Sequence, residues 1–148
     1  YFGPAHTSGD AVVFCPQEKV AFLGDLFFAG RDPLVHRHKN GSSFGLVKAL
    51  NSVLQLDAEI FLSGHAEKAT RADVQALIKS IEDKQAQIAA MVREGKTLDE
   101  VKKFYKIEDR PAAPGRPQFL SLPEVIWLEL MKMQITTVPK KSRGRPPR

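Results

Sequence analysis

The stretch 3-GPAHTSGDAVVFCPQEKVAFLGDLFF-28 decides how this chain is read. It begins with a histidine among small, turn-forming residues and an aspartate four positions later. It then passes into two short runs rich in β-branched and aromatic residues, 11-AVVFC-15 and 19-KVAFLGD-25. The polar 16-PQEK-19 joins them, with proline at the turn entry, so the pair reads as a β-hairpin. Both runs are nearly continuous in apolar residues, which predicts a sheet covered on at least one face.

Outward from the hairpin, 29-AGRDPLVHRHKNGS-42 has no period and reads as a loop. A helix is predicted near 43–56, with Phe44, Val47, Leu50 and Leu54 at helical spacing. The run 59-EIFLSGH-65 reads as a short strand. Thr70 with Asp73 fits a capping box that opens a long helix. Val74, Leu77, Ile78, Ile81, Ile88 and Val92 form its apolar stripe, and Gly95 ends it. Thr97 with Glu100 starts a shorter helix over 98–105 by the same device. A proline-rich link, 111-PAAPGRP-117, leads to an apolar helix near 122–134, whose first turn accommodates Pro123. No internal repeat is present. The order hairpin, helix, strand, helix, helix, helix predicts an α/β or α+β layered structure. Four helices against about three strands is lopsided, and part of the sheet is expected to be missing.

The composition is that of an ordinary globular domain, with 148 residues, 43% hydrophobic and 26% charged. No stretch of about 18 apolar residues reads as membrane-spanning. Cys15 stands alone in an apolar run and reads as a small buried hydrophobe. It fixes no compartment, and a cytoplasmic setting is the default. The net charge of +5 comes from one end, where Lys140, Lys141, Arg143, Arg145 and Arg148 have no acid among them. With those five set aside, the 22 basic residues fall to the same number as the 17 acidic ones. The body's charge therefore gives no hint of a nucleic-acid partner.

Three potential metal ligands occur in one kind of place. His6 lies in the opening loop, Asp25 ends one predicted strand, and His65 ends another. Asp25 and His65 are each preceded by glycine at a strand's carboxyl end, where sheets of mixed topology place their sites. Glycine there permits a tight turn and close approach to an ion. Imidazoles with a carboxylate suit zinc, iron or manganese. The same residues also fit a blander account, with the histidines satisfied in the structure and the aspartate forming a turn or cap. The spacing is not that of a zinc finger.

The opening string resembles the middle of a metallo-β-lactamase-fold hydrolase. In that superfamily a Gly-x-x-His-Thr-x-Gly-Asp loop leads into a hairpin ending in Gly-Asp, and a later strand ends in Ser/Thr-Gly-His. Here these are His6-Thr7 with Gly9-Asp10, then Gly24-Asp25, then Ser63-Gly64-His65. The resemblance covers about residues 1–95. It implies a four-layer αβ/βα sandwich with a metal pair at one sheet edge. His6 would ligate the first ion, His65 the second, and Asp25 would bridge both. Thr7, Asp10, Gly24 and Gly64 would stand behind the ligands, Asp10 shaping the His6 loop. Zinc is the implied metal, one or two ions per complete site, with iron or manganese as alternatives. A hydroxide held by the metals would attack an ester, thioester, lactam or phosphoester, and no separate catalytic side chain is implied. The substrate is a small molecule of open class.

The superfamily's His-x-His-x-Asp-His motif is not found. The segment 36-HRHKNG-41 has His-x-His, but Asn40 and Gly41 stand where Asp and His are required, and it follows Asp25. It reads as an exposed loop. The resemblance, together with an opening at Tyr1, yields the expectation of a C-terminal half, poorly active alone. The missing ligands would come from an N-terminal half or from self-association. Residues 1–110 would form that half-domain, 111–135 a link and C-terminal helix, and 136–148 a basic disordered tail. In the tail, Arg143-Gly144-Arg145-Pro146 resembles the core of an AT-hook, which lies in a narrow A·T minor groove. A non-catalytic interaction module, or a DNA binder acting through this tail, is the alternative reading.

Overall fold

A computed structural model gives the fold and describes residues 1–65, 68–109, 114–115 and 117–137. The hairpin forms from β1 (Val13–Cys15) and β2 (Val20–Gly24), which pair antiparallel with Val13 opposite Phe22 and Cys15 opposite Val20. Lys19 closes its turn at φ 52°, donating its N–H to the Pro16 carbonyl. The chain then crosses over through a loop and helix α1 (Ser43–Val53) to β3 (Ile60–Ser63), parallel to β2. A parallel neighbour requires such a crossover. A two-residue strand, β4 (Lys68–Ala69), pairs antiparallel with β3 and completes the order β1-β2-β3-β4. The sequence does not announce β4, whose two residues are too few to show a period, nor the single 3₁₀ turn at Arg37–Lys39.

Side chains alternate across a sheet, and here the two faces differ sharply. Ala21, Leu23, Phe61 and Ala69 are buried in the core, whereas Val13 and Phe22, directly paired on the other face, are 59% and 44% exposed. The covered face belongs to one core with α1, with α2 (Arg71–Arg93) and with α4 (Leu122–Thr137). A short helix, α3 (Leu98–Phe104), adds Val101 to that core.

The helix starts follow the local chemistry. Thr70 with Asp73 and Thr97 with Glu100 both form complete capping boxes. The buried face of α1 is not the one its spacing suggests. Ser43, Leu46, Ala49, Leu50 and Val53 are buried, while Phe44, Val47 and Leu54 are only half-buried. Because α1 meets both α2 and α4, its apolar surface wraps further round than one stripe. Among the described residues no helix is long and apolar enough to cross a membrane. The Arg143–Pro146 segment lies outside the described residues, as does most of the proline-rich link.

Candidate metal centre

The ends of β2 and β3 build the site. Their pairing slips between Phe22 and Gly24, so Gly24 comes opposite Ser63. Such a bulge re-aims the residues that follow it. Gly24 adopts φ 54°, the left-handed region that glycine enters without steric cost. The Gly64 N–H donates to the Gly24 carbonyl at 2.8 Å, bringing Asp25 and His65 side by side. A Cβ on Gly64 would stand 2.7 Å from Asp25 Oδ1 and 3.2 Å from the Gly24 carbonyl carbon. The glycine before His65 therefore makes room for the carboxylate.

His6 arrives from the opening loop. Asp10 closes that loop, accepting from the Thr7 N–H at 2.9 and 3.1 Å and from the Thr7 hydroxyl at 2.8 Å. It is occupied by its own loop. The His6 ring is buried, and its Nδ1 stands 2.7 Å from the Leu34 carbonyl oxygen. A carbonyl only accepts, so Nδ1 carries a proton, and Nε2 faces Asp25. The carboxylate lies between the two imidazoles, with His6 Nε2 3.5 Å from Oδ2 and His65 Nε2 3.3 Å from Oδ1.

This arrangement suits a cation. In neutral His6 the Nε2 lone pair confronts a carboxylate oxygen, two acceptors with no donor between them. A proton on Nε2 or a metal ion resolves the conflict. Two donor atoms bound to one tetrahedral zinc at its usual bond lengths stand about 3.3–3.4 Å apart. Both N···O separations are close to that spacing, and imidazole nitrogen with carboxylate oxygen matches zinc, iron or manganese. Among the described residues, however, no three His, Cys, Asp or Glu side chains are grouped to hold a single ion. The donors form two pairs that share Asp25.

Three neighbours are not foreseen from the sequence. The Leu34 carbonyl orients His6. The ring of Phe28, itself buried, lies 4.7 Å from that of His65, and the Arg31 guanidinium sits 4.5 Å from the Phe28 centroid. His36 is the third and corrects the reading of 36-HRHKNG-41 as an exposed loop. Its N–H donates to the His6 carbonyl at 2.8 Å, and its ring meets the His6 ring edge-on at 4.6 Å. His38 remains only partly covered, its ring 5.2 Å from that of His36. Burial, then the His6 charge, hold the His36 pKa below the usual imidazole value. The apolar run 26-LFF-28 after Asp25 is a signal for Phe28, whereas nothing local announces His36.

A family model described as the metallo-beta-lactamase superfamily matches residues 1–65, the segment that carries all three candidate ligands. The likeness to the metallo-beta-lactamase superfamily lies in these residues. Superfamily members usually bind metal ions such as zinc. A metallo-beta-lactamase family protein from Thermus thermophilus shares the fold, at TM-score 0.64 and 17% identity over 91% of this chain. This chain spans 42% of that protein's length. The DIM-1 metallo-beta-lactamase aligns at TM-score 0.48 and 20% identity, over 56% of this chain and 40% of its own. VMB-1 aligns at TM-score 0.48 and 20% identity, over 56% of this chain and 39% of its own. No curated protein matches the chain.

Proposed function

We propose that this chain contributes the Asp25-centred half of a two-metal hydrolytic site. One observation carries the proposal: a single carboxylate presents one oxygen to each of two imidazole nitrogens, at 3.5 and 3.3 Å. In this reading His6 and Asp25 hold one ion, and His65 and Asp25 the other. When bound, the ions supply Lewis-acid polarisation and bring the pKa of water to about 7. His6 serves through Nε2 because Leu34 holds the proton on Nδ1. Asp10 keeps the His6 loop closed, and Gly24 and Gly64 let the two strand ends touch. Phe28 forms a wall beside His65 and also borders an open cavity of about 580 Å³ that includes Arg31 and Lys68. The reaction class is hydrolysis of an ester, thioester, lactam or phosphoester.

Two protein donors per ion leave coordination positions to fill. Water, a second copy, or the N-terminal half that the resemblance implies would take them. On the same reading, residues 1–110 are the half-domain and the link and C-terminal helix follow, the helix running to Thr137 rather than ending at 135. The test is zinc per chain by mass spectrometry after dialysis against trace zinc, for wild type and for His6→Ala, Asp25→Ala and His65→Ala. Bound zinc that falls in each histidine variant and disappears in Asp25→Ala supports the reading. Zinc content unchanged by all three substitutions overturns it.

A further inference from the structure

Glu129 lies on α4, 86 residues from the turn it touches, and is buried. Both of its carboxylate oxygens accept from the Ser43 N–H, at 3.1 and 3.3 Å, and Oε2 also accepts from the Ser43 hydroxyl. Ser43 is fully buried at the start of α1. The first N–H groups of a helix lack partners within the helix and favour negative charge. Glu129 therefore holds the first turn of α1 from another element, while Ser42 caps the same turn through the Gly45 N–H.

That turn is the floor beneath the His6 loop. The Ser42 N–H donates to the Ala5 carbonyl at 2.8 Å. Gly41 and Gly45 press so closely on the carbonyls of His6 and Pro4 that neither has space for a Cβ. The Gly41 N–H donates to the His36 carbonyl, and the His36 N–H to the His6 carbonyl. A second contact runs the same way, because Phe119, just before α4, packs on His36 with ring centroids 5.2 Å apart. α4, through Glu129, and the segment just before it, through Phe119, thus reach the least exposed ligand candidate by two routes, neither of which touches Asp25 or His65.

We infer that Glu129 is a positioning residue for His6: by fixing the first turn of α1 it fixes the loop that aims His6 Nε2 at Asp25. What His6 then does rests on the proposed metal site, but the aiming does not. The test is long-range ¹⁵N–¹H NMR of the imidazoles at one fixed alkaline pH, for wild type, Glu129→Gln and Ser43→Ala. Ser43→Ala removes only the hydroxyl half of the tie, so a folded sample is available even where Glu129→Gln is unstable. Wild type should show His6 almost wholly as the Nδ1–H tautomer, the one the Leu34 carbonyl selects. The expected result is a shift of His6 toward a tautomer mixture in both variants, with the His65 signals in place. Unmoved His6 signals in the folded variants overturn the inference. So does joint movement of His6 and His65, which would make Glu129 a general anchor of the fold.

Cobalt(II) titrated into the same samples separates the two proposals. A weakening of about 10–100-fold in the variants is the size expected for lost outer support of a ligand. If wild type takes up no cobalt while His6 still responds, the aiming stands and the metal reading falls. If wild type takes up cobalt and His6 is unresponsive, the metal reading stands and the aiming falls.

Discussion

His6 and His65 flank the same carboxylate at nearly the same distance, yet the protein holds them differently. The His6 side chain is 8% exposed, its Nδ1–H is tied to Leu34, and its backbone carbonyl accepts from His36. The His65 side chain is 46% exposed and its ring rests against Phe28, while the backbone N–H of His65 donates to the Ser63 hydroxyl. One imidazole is set by the fold itself. The other has room to adjust. If the proposed metal site holds, one rigid and one adaptable arm would tolerate a change of ion better than two rigid arms.

The largest expected contrast is in stability. His6→Ala removes a buried, hydrogen-bonded ring and leaves the Leu34 carbonyl without its donor, which should cost about 2–4 kcal/mol. His65→Ala removes a half-exposed ring and should stay within about 0.5 kcal/mol. Urea melts of both apo variants measure the difference, and equal costs would erase the rigid-versus-adaptable distinction.

Gly64→Ala sharpens the comparison on the His65 side. The new methyl meets Asp25 Oδ1 at 2.7 Å, the movable end of a side chain, and the Gly24 backbone at 3.2 Å. Stability should drop by only about 1 kcal/mol, at the low end for overpacking. Zinc binding should fall further, because the cheapest relief turns Asp25 away from His65. Melts and zinc titrations on the same samples check this, and a loss of stability with unchanged zinc binding would contradict it.

Gly24 is constrained for a different reason, with open space around its Cβ position but a φ of 54°. Gly24→Asn should therefore be milder than Gly24→Val, because asparagine visits the left-handed region and a β-branched residue does not. Their melting temperatures should differ by a few degrees, the equivalent of about 1 kcal/mol.

What can be read from sequence alone divides along the same line. The hairpin, the two capping boxes and the Gly-Asp and Ser-Gly-His strand ends depend on neighbours within a few residues. Their chemistry is written locally. The contacts that make His6 rigid are not local. Leu34 lies 28 residues from it, and Glu129 meets Ser43 across 86. No residue type marks a backbone carbonyl as an acceptor, and a histidine in an aperiodic loop gives no sign that it will pack on another. The buried face of α1 escapes a stripe reading because a stripe assumes one partner surface, whereas α1 has several.

The smallest expected effect concerns the anchor downstream of His65. Asp73 accepts from both the N–H and the hydroxyl of Thr70, at 2.7 Å each, just where α2 begins after β4. The Thr70 backbone N–H first, and its hydroxyl second, hold the Asp73 carboxyl below its ordinary pKa. A carboxylate whose pKa is lowered on folding contributes stability above its unfolded pKa and loses it as pH falls through the folded value. Wild type should therefore exceed Asp73→Asn in melting temperature at about pH 6, with the gap closing as pH drops below the normal aspartate range near 3.8. Because Asp73 is exposed, the gap should be small, and it should leave the His6 tautomer untouched. A His6 response to Asp73→Asn would mean that the two arms of the site are coupled through the sheet, and that the adaptable arm is not mechanically separate from the rigid one.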